Sequence, residues 1–507
     1  MKPELVIDQT STVEVLVAGA HLAGWPTDRD GQAPVAPDQP LLVEVAGRIN
    51  IEVTGEDRVE VTGRDPVEIP VPARDEPRLL LFEVRATHQG DGELWVIVRQ
   101  GPLPLLTLVL RPSIRQQPPD ASDAQLEAVG QTLVGPSPAP LTVLRVFEQR
   151  HGAAVIYQYD LDAPGVGFTR AYESRPIGQD RDAYVRGLFA RIEQVWRDSD
   201  EDTAAFQEQL RAFGGQLLDE LMPFELQRDL WNLRDRLAHI VVLSTEPFIP
   251  WELIHLKDPD TGQLPAETWF LAQLGLVRWL WQPQTPGRYS NVRLPERLQV
   301  RHARARYVIP EYPHPAWQLP AAAAERAFLE QHLNARSVPP HHAEVLALLR
   351  DPDGPEGFDL LHFAGHGQAS SHDIADAQLL LEGRMERGQY RPEPLRVTVA
   401  AQNFRVTSQP GPVVVLNACQ TGRLGRQLAS IGGFAQAFLG GGAGAFISSL
   451  WSVGDAPAGI FVQELYRQLL RGVTMAEAVK RAREEARRCG DATWLAYTAY
   501  AHPDATL

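Results

Sequence analysis

Over residues 1–110 apolar and polar positions alternate with a period of two, as half-buried strands require. Val43, Val45, Ile49, Ile51 and Val53 alternate with small or polar residues, and Val59 and Val61 continue the series. Glu52-Val53-Thr54-Gly55 is echoed by Glu60-Val61-Thr62-Gly63. The Gly and Asp residues that follow each copy are turn formers, so the copies predict successive hairpin strands. Leu79 to Val84, Leu94 to Val98 and Leu105 to Leu110 add strands, and together these segments predict a small β-sandwich. Arg111 to Asp123 (RPSIRQQPPDASD) has little to bury and reads as a linker.

Beyond residue 124 the rhythm changes. Leu141 to Phe147 and Val155 to Tyr159 predict two strands. Tyr184, Leu188, Ile192 and Val195 share one face of a helix over Asp182 to Trp196, and residues 204–237 are again helical. Ile240 to Leu243 predicts a strand, and so does Trp269 to Trp279. A Pro-rich stretch, Pro310 to Pro320, precedes the last third. There helices are expected at Ala321 to Leu333 and His342 to Leu349, then strands at Leu360 to Phe363 and Val413 to Leu416. A helix at Ser430 to Leu439 and a strand at Ala445 to Leu450 come next. Helices at Ala458 to Leu470 and Met475 to Arg488 and a strand at Trp494 to Tyr500 complete the pattern. Thr474 with Glu477 predicts a capping box, and Gly490 a stop. Strands alternating with helices imply an α/β fold with a mostly parallel sheet.

Composition narrows the function classes. A chain of 507 residues suggests about three domains. The net charge of −16 argues against a general nucleic-acid or membrane-surface binder, which needs a basic field. Basic runs exist at Arg301 to Arg306 and Lys480 to Arg488; the second is interleaved with Glu484 and Glu485 and reads as a solvated helix face. Two cysteines, Cys419 and Cys489, are too few for a disulfide framework or a structural zinc set, and a reducing cytoplasm is the expected compartment. The opening residues show no signal-peptide pattern, and no run approaches the ~18 apolar residues of a membrane span.

In open parallel sheets, functional groups gather beyond the carboxyl ends of strands. Two such ends stand out: Phe358-Asp359-Leu360-Leu361-His362-Phe363-Ala364-Gly365-His366-Gly367 and Val413-Val414-Val415-Leu416-Asn417-Ala418-Cys419-Gln420-Thr421-Gly422. Each is an apolar strand running into a turn of small residues that carries a base or a nucleophile. A thiol needs a basic or cationic neighbour to become thiolate near neutral pH, and imidazole serves best. His366 and Cys419 are therefore the candidate catalytic pair. The backbone N–H groups of Gly367 and Cys419 are the candidate oxyanion donors. His362, within the strand, is expected to pack or to hydrogen-bond the sheet. A zinc site from His362, His366 and Cys419 lacks a regular ligand scaffold, so no metal or other cofactor is expected. Cys489 is expected to be inert, and Trp251 and Glu252 to be structural. The Gly440 to Gly444 run lacks the Lys and Ser/Thr of a phosphate loop and ends a helix rather than opening one.

Residues from about 200 to 500 resemble the CHAT family, bacterial relatives of caspases and separases. The resemblance rests on Ile249-Pro250-Trp251-Glu252-Leu253, His362-Phe363-Ala364-Gly365-His366-Gly367 and Leu416-Asn417-Ala418-Cys419-Gln420-Thr421-Gly422. Gly432-Gly433-Phe434, Gly440-Gly441-Gly442-Ala443 and Leu450-Trp451-Ser452-Val453-Gly454-Asp455 follow in order. Caspases place the histidine about fifty residues before the cysteine, and here Cys419 follows His366 by 53. The resemblance implies peptide-bond cleavage with His366 as base and Cys419 as nucleophile. It also implies a pseudo-duplicated caspase-like α/β fold, a mostly parallel sheet flanked by helices, with an inactive half before the active one. Separase-like relatives carry Trp-x-Val-x-Asp, whose acid faces a basic substrate side chain; Trp451-Ser452-Val453-Gly454-Asp455 fits, making Asp455 a candidate specificity residue. Asp455 before Ala456 and Pro457 also reads as a helix cap, and the two roles are compatible.

The expected organisation is an all-β docking domain at 1–112, a linker at 113–123 and an α+β connecting region at 124–200. An inactive caspase-like half at 201–300 and the active half at 301–507 complete it. The implied function is a regulated cysteine endopeptidase in bacterial defence, cleaving a protein substrate after activation by a partner or ligand. A non-catalytic scaffold and a thiol amidase on a small substrate are the alternatives. A scaffold has no physical need for a base opposite a thiol.

Overall fold

The structure is a computed structural model of the chain. It describes all residues except 20–33, 57–65, 74–75, 118–124, 129–132, 135–139, 153, 178–183, 185–186, 189, 193, 195–202, 246–248, 282–294, 302, 314, 369–376, 387–388, 409, 419–424, 428–429, 451–453 and 491. The backbone packs as two units, Met1–Arg181 with Trp281–Arg293, and Asp182–Leu280 with Leu294–Leu507.

The described residues of the first unit are strands and connections. Arg78–Ala86 lies between Thr10–Val17 and Ile51–Glu56, antiparallel to both. Glu93–Gln100 lies between Leu41–Ile49 and Leu103–Leu110, again antiparallel to both. Val143–His151, Ala154–Ala163 and Phe168–Glu173 form a meander. The alternation of period two explains the burial: Val43, Val45, Phe82, Val84, Leu94 and Val96 point into one core. Ser113–Arg115, within the stretch expected to link, pairs in parallel with Glu4–Val6 and buries Ile114. Trp281 belongs to this unit because its ring meets Trp95 edge-on at 5.7 Å and its indole N–H donates to Thr107 Oγ1 at 3.1 Å. The second Glu-Val-Thr-Gly copy lies outside the described residues.

The second unit is a mixed sheet flanked by helices. Its strands are β1 (Ile240–Ser244), β2 (Leu276–Leu280), β3 (Ala305–Val308), β4 (Arg336–Ser337) and β5 (Leu360–Gln368). A hairpin, β6 (Gln378–Glu386) and β7 (Gln389–Arg396), follows, then β8 (Val413–Ala418), β9 (Ala445–Ser449) and β10 (Tyr497–Tyr500). The helices are α1 (Thr203–Leu221), α2 (Phe224–Leu233), α3 (Pro320–Leu333), α4 (His342–Arg350), α5 (Val397–Asn403), α6 (Phe434–Gly440), α7 (Asp455–Leu469) and α8 (Met475–Arg487). The strand order is β1-β2-β10-β9-β8-β5-β3-β4. Every neighbouring pair is parallel except β10 with β9, so the sheet consists of two parallel blocks of opposite direction. β1 (IVVLS) and β8 (VVVLNA) are buried along their whole length, which is why they read as unbroken apolar runs rather than alternating ones. Among the described residues no helix is long and apolar enough to cross a membrane.

Several elements depart from the expected pattern for identifiable reasons. Pro223, as N-cap of α2, splits the helix expected over 204–237. The strand expected from Trp269 to Trp279 begins as a 3-10 turn, Leu271–Leu274, and turns at Gly275 (φ +63°) before β2 starts. The last strand is likewise preceded by a helical turn, Thr493–Ala496. α6 starts later than expected because Ser430–Gly432 pairs with Gly425–Gln427. Residues 182–196, expected to be helical, fall in large part outside the described residues. No capping box forms at α8: Thr474 makes no side-chain cap bond, and the N–H groups of Met475 and Ala476 instead donate to the carbonyls of Ala505 and Pro503.

The basic run on α8 is not a solvated face throughout. Arg483 is buried, and its guanidinium donates to the carbonyls of Ala272, Leu276 and Tyr497. Nearby, Arg278 forms a two-pronged pair with the fully buried carboxylate of Glu252. Glu252 is thus the acceptor of a buried ion pair at the front of this unit, as its structural assignment implied. Burial pulls the Arg483 guanidinium down to about 10, while Glu252 opposes the shift.

Candidate active site

β5 changes partner at the point where its chemistry begins. Its parallel ladder with β8 ends at the pair Gly365–Ala418, and its antiparallel ladder with β6 begins at His366–Leu380. His366 therefore sits on a strand that continues to Gln368, not in a turn after Phe363 as the sequence pattern suggested. Gly365 allows the crossover: a Cβ there would lie 2.9 Å from the ring of Phe363 and 2.9 Å from the hydroxyl of Tyr312.

The half-buried His366 is held at two points. Its Nε2 is 2.9 Å from the carbonyl oxygen of Trp317. A carbonyl can only accept, so Nε2 carries a proton, and of the two neutral tautomers this selects the one whose lone pair is at Nδ1. The backbone N–H of His366 donates to the Tyr312 hydroxyl at 3.0 Å, and that hydroxyl donates to the carbonyl of Leu380 at 2.6 Å. The rings of Tyr312 and Trp317 lie 4.8 and 5.3 Å from the imidazole, and Tyr390 packs against both.

On the neighbouring strand, the described chain stops at Ala418, whose carbonyl accepts the Ser449 hydroxyl at 2.6 Å. Cys419 lies outside the described residues, as do Trp451, Ser452 and Val453. Gly367 is the register partner of Leu379. Cys489 is exposed.

Asp455 is the first residue of α7, and Gly454 is its N-cap. The Asp455 carboxylate caps a different helix from the one expected: Oδ2 accepts the backbone N–H of Ala321, in the first turn of α3, at 2.8 Å. Burial pushes the carboxyl up from the ordinary aspartate range. The Ala321 N–H opposes the shift, Glu325 adds to it and His366 reduces it. The two helices close on each other at Gly459, where a Cβ would lie 3.2 Å from that of Ala321.

Below this level a buried polar chain crosses the same layer. His362 Nδ1 is 3.0 Å from the Tyr466 hydroxyl, and its Nε2 is 2.9 Å from Glu325 Oε2. Glu325 Oε1 accepts from Asn417 Nδ2 at 2.6 Å, and the Tyr497 hydroxyl donates to Asn417 Oδ1. All five side chains are buried. Burial, with Glu325 adding to it, holds the Tyr466 phenol well above its ordinary range. Both nitrogens of His362 are spent within this chain, so His362 hydrogen-bonds as expected but to helices α3 and α7. Among the described residues no three His, Cys, Asp or Glu side chains converge as a metal set.

Tyr312, Trp317, Glu325 and Tyr466 carried no role in the sequence analysis. Glu325 did leave a signal: it occupies the buried stripe Ala322, Glu325, Leu329, Leu333 of an otherwise apolar helix face. Trp317 acts through its carbonyl oxygen, which no side-chain pattern reveals.

A family model described as the CHAT domain matches residues 211–503. A second, described as a domain of unknown function (DUF7363), matches residues 1–110. No curated protein matches the chain. Among solved structures, two crystal structures of the Saccharomyces cerevisiae separase–securin complex are similar, at 10% and 11% identity and TM-score 0.44. The match covers 72% of this chain and 30% of the separase chain, so this chain spans under a third of that length. A structure described as a protease is similar at 10% identity and TM-score 0.36, covering 58% of this chain and 68% of the other.

Proposed function

The chain belongs to the CHAT family, a family of caspase-like and separase-like proteases, and on that footing we propose that it is a regulated cysteine endopeptidase with Cys419 as nucleophile and His366 as base. One observation carries the proposal. The Trp317 carbonyl selects the Nε2–H tautomer of His366, leaving Nδ1 as a base where β5 changes partner from β8 to β6. The strand beside it pairs Ala418 with Gly365, and the residue that follows each of these two in the chain is a member of the pair. His366 Nδ1 takes the thiol proton, and the thiolate sulfur attacks the scissile carbonyl carbon. The oxyanion is held by the backbone N–H groups of Gly367 and Cys419. The C–N bond then breaks as His366 returns the proton to the departing amine, and water hydrolyses the thioester with His366 again as base.

Asp455 is the proposed selector of Arg or Lys before the cleaved bond. Its other carboxylate oxygen, which accepts no hydrogen bond among the described residues, suits a charge-assisted pair with a substrate cation. Residues 201–300 are read as the inactive caspase-like half and 301–507 as the active one. The N-terminal β region, 1–112, is read as a docking module for a protein partner that activates the enzyme, with a bacterial defence pathway as the setting. The deciding experiment is peptide-library cleavage by the full chain, alone and with candidate partner proteins, beside Cys419→Ala and His366→Ala. Cleavage that is lost in both variants, with Arg or Lys at the cut, is expected. Cleavage that survives Cys419→Ala would sink the proposal.

A further inference from the structure

The chain Tyr466–His362–Glu325–Asn417–Tyr497 spends a buried carboxylate and a buried imidazole on groups the proposed reaction does not touch. Burying such a network is rarely a gain in stability, since well-packed apolar residues of the same volume do as well or better. Its geometry suggests another use. Glu325 stands on α3, one helical turn after Ala321, whose N–H the Asp455 carboxylate holds. Its other contacts reach the sheet: Oε2 meets His362, on the strand that carries His366, and Oε1 meets Asn417, two residues before Cys419. One side chain therefore ties both strands that lead to the dyad to the helix that Asp455 caps.

We propose that Glu325 is a positioning residue for the dyad, holding the end of β8 through Asn417 and the register of β5 through His362. The inference rests on the dyad reading above and goes beyond it by naming what sets the separation of base and nucleophile. The strut works by hydrogen bonding. Glu325 accepts from Asn417 on one oxygen and from His362 Nε2–H on the other, while Tyr466 donates to His362 Nδ1 and Tyr497 to Asn417. A glutamine can keep both contacts of Glu325 itself, at the cost of the acceptor that the Tyr466 hydroxyl uses. Its carbonyl accepts from Asn417 and its amide donates to His362 Nε2, provided that His362 moves its proton to Nδ1 and donates to the Tyr466 oxygen. Alanine cannot, and leaves both strands without their common anchor.

The test uses the full chain in a Cys489→Ser background, which makes Cys419 the sole thiol. The rate of Cys419 alkylation by iodoacetamide is followed against pH in that background and with His366→Ala, Glu325→Ala, Glu325→Gln or Asn417→Ala added. This readout needs no substrate. With the dyad in place, the profile without further change lies at lower pH than that of His366→Ala. Glu325→Ala and Asn417→Ala, folded by circular dichroism, are expected to move toward the His366→Ala profile, while Glu325→Gln stays with the starting protein. On a cleaved peptide, the alanine variants should lose about 100-fold in kcat with KM little changed, as misplacement of about 1 Å does. If Glu325→Ala fails to fold, Asn417→Ala decides by the same criteria. Alanine variants that keep the starting profile overturn the inference and leave the dyad standing. A glutamine variant as impaired as the alanine one overturns the hydrogen-bonded strut. A starting profile that coincides with that of His366→Ala overturns the dyad reading and this inference together.

Discussion

Two buried carboxylates in the second unit invite comparison. Glu252 meets Arg278 in a two-pronged ion pair, with Arg483 nearby bound to three backbone carbonyls. Among the described residues Glu325 meets the Asn417 amide and the His362 imidazole, and these contacts run to the two strands that lead to the proposed dyad. The first cluster neutralises charge with charge and clasps elements together. The second distributes one charge over adjustable donors and sets the spacing of elements already packed. A buried carboxylate thus reveals its use by what lies at the far end of its partners.

Three substitutions test that distinction. Glu252→Ala strands Arg278 without its counter-charge in the interior, and a loss of about 3–5 kcal/mol is expected in denaturant unfolding. Cys419 alkylation in the remaining folded protein should not change; a changed pH profile would erase the contrast with Glu325. Tyr312→Phe removes the hydroxyl that joins His366 N–H to the Leu380 carbonyl, leaving an unpaired backbone donor at a cost of about 1–3 kcal/mol. Here activity should fall along with stability, and a variant of unchanged kcat would deny Tyr312 any hold on the base.

The smallest effect is expected at Asp455, and it depends on pH. Burial raises this carboxyl, so the folded chain keeps its proton to higher pH than the unfolded chain does. Between the ordinary aspartate value and the raised one, the folded state binds more protons and stability falls as pH rises. In Asp455→Asn the new amide would keep an acceptor for Ala321 N–H without titrating. The stability of Asp455→Asn relative to the parent should therefore grow across that window and level off above it. Cleavage after Arg or Lys by the parent should rise across the same window. Parallel stability curves for the two proteins would remove the burial argument.

Much of the architecture was legible because apolar runs such as Val413 to Leu416 fit little but a central strand. The short helical turns before β2 and β10 were not, since Gly275 and the Thr493–Ala496 turn interrupt the run without removing its apolar character. His366 could be singled out by its glycine neighbours. Its strand partner could not, because the hairpin that follows β5 is interrupted by Gly383, Pro392 and Pro394 and carries no clear strand pattern. Asp455 was read as acidic and near a helix start, both correct. Which helix it caps is a matter of how α3 and α7 meet at Gly459, and spacing along one chain cannot express that.

The order of strands has a consequence for how the molecule is made. β10 lies between β2 and β9, so the strand of this sheet that comes latest among the described residues sits inside the sheet and not at its edge. A ribosome-bound chain that has passed residue 419 already contains both members of the proposed dyad. Tyr497, which steadies Asn417, and the strand that joins the two parallel blocks are still missing. Until then β2 and β9 present open edges, the state in which chains pair with the wrong neighbour or recruit a chaperone. Assembly of the site is thereby timed to the end of this unit's synthesis, and an unfinished chain carries the reactive groups without the frame that would arm them.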